Sequence, residues 1–160
     1  MTKLALYTDG ACSGNPGPAG IGVVVQQEGA VIKEISRFIG AATNNIAEYT
    51  AVICALQEAL VLKADEVSLF SDSELVCRQV LGQYKVSHAQ MRVLYDQVQH
   101  LRAGFRRFQI QHIPREENRQ ADQLARQAIR LEQAKTVASR KTSGPPAGDH
   151  PRKMAQLDFL

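Results

Sequence analysis

The sequence predicts an α/β fold in which a five-stranded mixed sheet, its first three strands antiparallel, is flanked by helices. Three observations carry this. The first forty residues hold three strand-like runs broken by turn residues, the rest alternates helical periods with two short apolar runs, and the resulting order is βββ-α-β-α-α-β-α. At 160 residues the chain suits one compact domain with a short appendage.

Leu4-Ala-Leu-Tyr-Thr8 reads as the first strand, ended by Asp9-Gly10 and the turn-rich Gly14-Asn-Pro-Gly-Pro18. Gly20 to Val25 and Val31 to Ile39 follow as a hairpin. From Asn45 to about Lys63, Ile46, Val52, Ile53, Leu56 and Leu60 recur at helical spacing and predict a largely buried helix. Val67-Ser-Leu-Phe70 is a short strand running into a helix, with Ser71-Asp-Ser-Glu74 spaced as an N-cap and capping box. A further helix spans about His88 to Arg102, a half-buried strand Phe105 to His112, and an amphipathic helix Asn118 to about Ala134. Beyond residue 134 the apolar period stops, so residues 1–134 are read as the domain and 135–160 as a basic, flexible tail containing Ser-Gly-Pro-Pro-Ala-Gly.

The net charge of +3 lies entirely in that tail, because residues 1–134 hold 14 basic and 14 acidic side chains. A neutral globule is not the footprint of a strong nonspecific polyanion binder, so any such affinity must come from bound metal, local clusters or the tail. No apolar run is long enough to span a membrane, and the N-terminus lacks signal-peptide features, which together set the expectation of a cytoplasmic protein. Cys12, Cys54 and Cys77 form no CxxC pair and are expected to be free thiols, the latter two as packing residues.

Four acids stand out. Asp9 and Asp72 follow strands, Glu48 sits in an apolar helix, and Asp122 lies on the last helix. Taken singly, Asp9 reads equally as a turn residue, Asp72 as a cap and Asp122 as a surface charge. Glu48 is harder to explain this way, since a carboxylate among Ala47, Tyr49, Ala51 and Val52 needs solvent, a hydrogen bond, a proton or a metal. Acids at two strand ends and on two helices can converge at the carboxyl edge of a sheet. Four oxygen donors without a His or Cys cluster favour Mg²⁺ or Mn²⁺ over zinc, and two such ions suit phosphodiester hydrolysis.

Thr8-Asp-Gly-Ala-Cys-Ser-Gly-Asn-Pro-Gly17, Thr43-Asn-Asn-Ile-Ala-Glu-Tyr49, Phe70-Ser-Asp-Ser73 and Asn118-Arg-Gln-Ala-Asp122 resemble, in order, the signatures of type 1 ribonuclease H. The resemblance covers about residues 1–134 and implies the RNase H-like fold. It also implies an endonuclease that cuts the RNA strand of RNA–DNA hybrids, leaving 5′-phosphate and 3′-hydroxyl ends. Asp9, Glu48, Asp72 and Asp122 would then be the catalytic, metal-binding set. Asn15, Asn44 and Asn45, with the backbone amides of Cys12, Ser13 and Gly14, would contact the hybrid, since neutral amides can address 2′-hydroxyls and base edges; helix capping is the alternative reading of Asn44.

The sequence departs from the family pattern in two places. Many members carry a mobile histidine on a longer loop before the last acid; here His112 aligns better as a strand residue, leaving Arg115 as the auxiliary candidate, with an exposed loop arginine as the alternative. Members with a basic protrusion hold the DNA strand by a Lys-rich, Trp-containing segment, whereas Gly82-Gln-Tyr-Lys-Val-Ser-His88 has one Lys and no Trp. Substrate would be held elsewhere, with Arg119, Arg126 and Arg130 or the tail as candidates. Such compact forms resemble archaeal-type enzymes, for which double-stranded RNA is a further candidate substrate. The C-terminal Gln156-Leu-Asp-Phe-Leu160 is similar to sliding-clamp docking peptides, with its last two residues reversed; an apolar tail packed on its own domain is the alternative. A noncatalytic hybrid-binding module and another nuclease of the same fold are the rival functions.

Overall fold

A computed structural model describes residues 1–142. Its elements are β1 (Lys3–Cys12), β2 (Gly17–Gln27), β3 (Ala30–Ala42), α1 (Asn44–Val61), β4 (Glu66–Ser71), α2 (Glu74–Val80), α3 (Ala89–Arg102), β5 (Arg107–His112) and α4 (Arg119–Thr142), with a 3₁₀ turn at Arg115–Glu117. The five strands form one sheet in the order β3-β2-β1-β4-β5. β1, β2 and β3 pair antiparallel, whereas β4 runs parallel to β1 and β5 parallel to β4. The predicted mixed sheet is therefore present. No helix among the described residues is long and apolar enough to cross a membrane.

Alternation along the strands decides what each face meets. Leu4, Leu6, Ile21, Val23 and Val25 join Tyr49, Val52, Ile53 and Leu56 of α1 in the main core, which α2 and α3 extend with Val76, Cys77, Met91 and Val98. The opposite face is covered by α4 through Ala121, Ala125, Ala128 and Ile129. Close approach there depends on the absence of side chains: a Cβ on Gly22 would lie 2.1 Å from the Ala121 carbonyl oxygen. Small residues on the helix and glycine on the strand bring α4 down onto β2.

Several element boundaries differ from expectation. β1 continues through Asp9 and Gly10, because β2 remains paired to it as far as Cys12↔Ala19; a neighbouring strand overrides the turn preference of Asp-Gly. The N-cap of α2 is Ser73, whose hydroxyl accepts from the Val76 amide, while Ser71 stays in β4, paired with both Thr8 and His112. Thr43, not Asn44, caps α1. β5 begins at Arg107, leaving Phe105 as a buried loop anchor. Helix α4 passes the expected end at Ala134 and reaches Thr142, since Leu131-Glu-Gln-Ala-Lys135 are good helix formers even without an apolar period. His112 is the last residue of β5, as the strand alignment predicted. The expectations for the rest of the tail, including Gln156 to Leu160, lie outside the described residues.

Candidate active site

The site forms where the parallel pairing of β1 and β4 stops. The last pair is Thr8↔Ser71, so the next residues on the two strands, Asp9 and Asp72, emerge side by side at the carboxyl edge. Glu48 reaches the same point from α1. The helix can approach because residue 10 is glycine: a Cβ there would lie 2.3 Å from the Ala47 carbonyl carbon and 2.5 Å from the Glu48 nitrogen. One carboxylate oxygen from each of Asp9, Glu48 and Asp72 falls within 4.8 Å of the others.

Asp122 completes the cleft rather than the trio. It stands in the first turn of α4, and its Oδ1 accepts from Arg126 Nε at 3.1 Å, with Arg115 Nη2 at 3.9 Å. The fourth predicted acid is thus present at the site but turned towards two arginines. Arg115 and Arg126 share with the four acids the lining of a cleft of about 640 Å³.

Burial dominates the electrostatics. Asp9 is 4% exposed and Glu48 5%. Loss of water pushes the Asp9 carboxyl far above the usual carboxylate range, and the neighbouring Glu48 adds to the rise, followed by Asp72 and Asp122. Burial raises Glu48 as well, partly offset by hydrogen bonding to Asp9 and the Gly10 amide and by the Arg115 charge. Glu48 Oε2 is buried without a hydrogen-bond partner. An orphaned carboxylate oxygen beside two other acids is costly as it stands and is relieved by a cation, so the donor set fits a divalent metal with oxygen preference.

The cleft also carries part of the predicted substrate-binding set. Cys12, Ser13 and Asn44 line the cleft. Asn15 is exposed, and its Oδ1 accepts from the Asn44 amide at 3.0 Å, which ties the loop to the start of α1. Gly14 (φ +90°) and Asn45 are the chain neighbours of Ser13 and Asn44 and do not themselves line the cleft. With Thr43 in the capping position, the Asn44 side chain is not needed as the helix cap. His112 and Arg119 are exposed and outside the cleft, while Arg126 and Arg130 line it. Cys54 and Cys77 are buried free thiols, as expected of packing residues, and burial pushes the Cys77 thiol up to about 11.

Sequence reasoning gave no role to Asn118, although it lies in a recognised motif. It is 2% exposed, and its Nδ2 donates to the Thr8 carbonyl at 2.8 Å. The link fixes the start of α4 to the residue before Asp9. The partner lies 110 residues away in the chain, so no local signal marks this contact.

Comparison with known proteins agrees with this geometry. A family model described as reverse transcriptase-like matches residues 7–128. A bifunctional protein of Mycobacterium tuberculosis is 43% identical over 129 residues, covering 79% of this chain but 35% of that protein, so the chain spans about a third of this relative. Among solved structures, the RNase H1 of the halophilic archaeon Halobacterium salinarum superposes with a TM-score of 0.78 at 39% identity, covering 79% of this chain and 97% of that one. LC11-RNase H1, solved in complex with an RNA/DNA hybrid, gives 0.76 at 41% identity, covering 81% and 98%. With the family model matching most of this chain and these two solved domains covered almost completely, the chain belongs to the type 1 ribonuclease H family.

Proposed function

We propose that this chain is a metal-dependent endonuclease that hydrolyses the RNA strand of RNA–DNA hybrids, leaving 5′-phosphate and 3′-hydroxyl ends. The observation that carries the reading is the close approach of Asp9, Glu48 and Asp72 in a cleft that Cys12, Ser13 and Asn44 also line. The related LC11 enzyme, bound to a hybrid, supports the choice of substrate.

Asp9, Glu48 and Asp72, with Asp122 beside them, would hold two divalent cations, Mg²⁺ or Mn²⁺. When bound, such cations supply activation of water and charge neutralisation at the phosphodiester. The protein's own residues set the stage. Burial of Asp9 at the sheet edge and of Glu48 on α1 strengthens their hold on cations. Arg115, 69% exposed at its side chain beside Asp122, is placed to neutralise a phosphate or the departing product as an auxiliary catalytic group. The side chains of Asn15, Asn44 and Asn45 and the amides of Cys12 to Gly14 can exchange hydrogen bonds with 2′-hydroxyls, which would distinguish RNA from DNA without demanding sequence.

The test is cleavage of end-labelled RNA–DNA, RNA–RNA and DNA–DNA duplexes with Mg²⁺, Mn²⁺ or EDTA, beside Asp9→Asn. Metal-dependent cutting of the hybrid's RNA strand that the variant loses is the expected result, and cutting of RNA–RNA would widen the substrate range. Hybrid binding without cutting under either metal would reject the enzyme in favour of a binding module.

A further inference from the structure

Helix α4 outlasts the domain it covers. Its last buried residues are Ala128 and Ile129, and from Gln133 to Arg140 every residue is exposed. A helix that leaves its core and is largely polar all round has no packing reason to continue, so its surface chemistry becomes informative. Six cations face two acids along its length: Arg119, Arg126, Arg130, Lys135, Arg140 and Lys141 against Asp122 and Glu132.

The cations are not evenly spread. At 100° per residue, Asp122, Arg126, Arg130, Gln133 and Arg140 fall on one side, and Lys135 on the other. Arg126, Arg130 and Gln133 line the catalytic cleft together with Cys12, Ser13 and Asn44. Arg140 continues the same line about five turns beyond Asp122, about 27 Å along the axis. Arg126 is engaged by Asp122, whereas Arg130 and Arg140 form no ion pair among the described residues. The connection between α2 and α3, where a basic protrusion could stand, holds one cation, Lys85.

The geometry points to this side of α4 as a phosphate rail: Arg130 and Arg140 bind the backbone of the strand being cut as it leaves the catalytic cleft, extending the substrate site beyond the sheet. The partner is a polyanion because the line presents guanidinium groups, which suit phosphate, and beyond the buried Ile129 the one large apolar side chain exposed along it is Val137. The inference rests on the proposed hybrid substrate and adds a second contact region remote from the metal-binding acids. It also assigns length dependence: a short hybrid seated on the carboxylates cannot reach Arg140.

The experiment measures binding by fluorescence anisotropy in an Asp9→Asn background, which separates binding from cutting, with RNA–DNA hybrids of roughly 20 and roughly 6 base pairs, spanning about 68 Å and about 20 Å at 3.4 Å per pair. Arg140→Glu and Arg130→Glu/Arg140→Glu are compared with Lys135→Glu, which makes the same charge change on the far side of the same helix. Arg140→Glu should weaken binding of the long hybrid about fivefold to tenfold and flatten the dependence of log K on log salt by about one contact, with a larger loss in the double variant. Lys135→Glu should change it less than twofold, and the short hybrid should not sense Arg140→Glu. Equal losses from Lys135→Glu and Arg140→Glu, or no loss from Arg140→Glu on the long hybrid, would overturn the rail. A selective Arg140→Glu loss in a protein whose unsubstituted form cuts no hybrid would uphold the rail while the nuclease reading fell.

Discussion

The Asn118 side chain donates to the main-chain carbonyl of Thr8 at 2.8 Å, joining the start of the last helix to the strand that delivers Asp9. Asp122 sits one turn on, with its own amide bonded to the Asn118 carbonyl at 3.1 Å. One amide side chain therefore sets the distance between the acid of α4 and the acids of the sheet.

Replacing that side chain should damage stability and chemistry together. In Asn118→Ala the buried Thr8 carbonyl loses its side-chain donor, for a cost of about 1–3 kcal/mol. Asp122 would drift from its neighbours, so kcat on the hybrid should fall at least tenfold with a much smaller change in KM. Urea denaturation and steady-state kinetics on one preparation check both; full activity in a destabilised variant would reduce Asn118 to a structural tie.

The acid cluster should reverse the usual effect of pH on a metal-free carboxylate protein. Burial raises Asp9 and Glu48 above their unfolded values, so the native state holds more protons than the unfolded chain between those values. Stability is then greatest below the unfolded carboxyl values of about 4 and falls as pH climbs towards the folded ones, by up to about 1.4 kcal/mol per pH unit for each extra proton the native state holds. Mg²⁺ should reverse the trend, because cation binding requires the deprotonated acids. Thermal melts in EDTA and in Mg²⁺ across that range test this, and Asp9→Asn should flatten the EDTA profile.

Close approach at Gly10 should tolerate no side chain. The Cβ of Gly10→Ala would lie well inside contact distance of the Ala47 backbone, which cannot rotate away. Relief requires α1 to move, carrying Glu48 away from Asp9. Destabilisation of about 3 kcal/mol or more is expected, together with loss of metal binding followed by calorimetry. Gly29→Ala is the control for space, since nothing lies within 4 Å of a Cβ there, although its positive φ carries a smaller backbone cost.

What the sequence made legible was chemistry carried by local signals. Glu48 was conspicuous because its neighbours are apolar, and the order of elements followed from their periods. Asp9 as a strand residue was hidden because Asp-Gly has turn chemistry, while the pairing that overrides it joins Asp9 to Gly22, a contact no local window contains. The reach of α4 was hidden because its outer turns have no apolar face to mark them. The turn of Asp122 towards Arg126 was in principle readable as an i,i+4 pair.

Arg115 and His112 are separated by the structure, and kinetics should follow that separation. Arg115 lies in the cleft with its guanidinium 3.9 Å from Asp122, whereas His112 is exposed at the end of β5 and outside the cleft. Arg115→Ala removes a largely exposed cation, so stability should change by less than about 0.5 kcal/mol. If the cation meets the phosphate or product, kcat should drop about tenfold to a hundredfold, a loss of about 1.4–2.7 kcal/mol of transition-state stabilisation. Arg115→Lys should recover part of that by restoring the charge without the planar fork. His112→Ala and Arg119→Ala should leave kcat within twofold of the parent. A large loss in His112→Ala with none in Arg115→Ala would return the auxiliary role to the histidine and require the β5 end to rearrange when the hybrid binds.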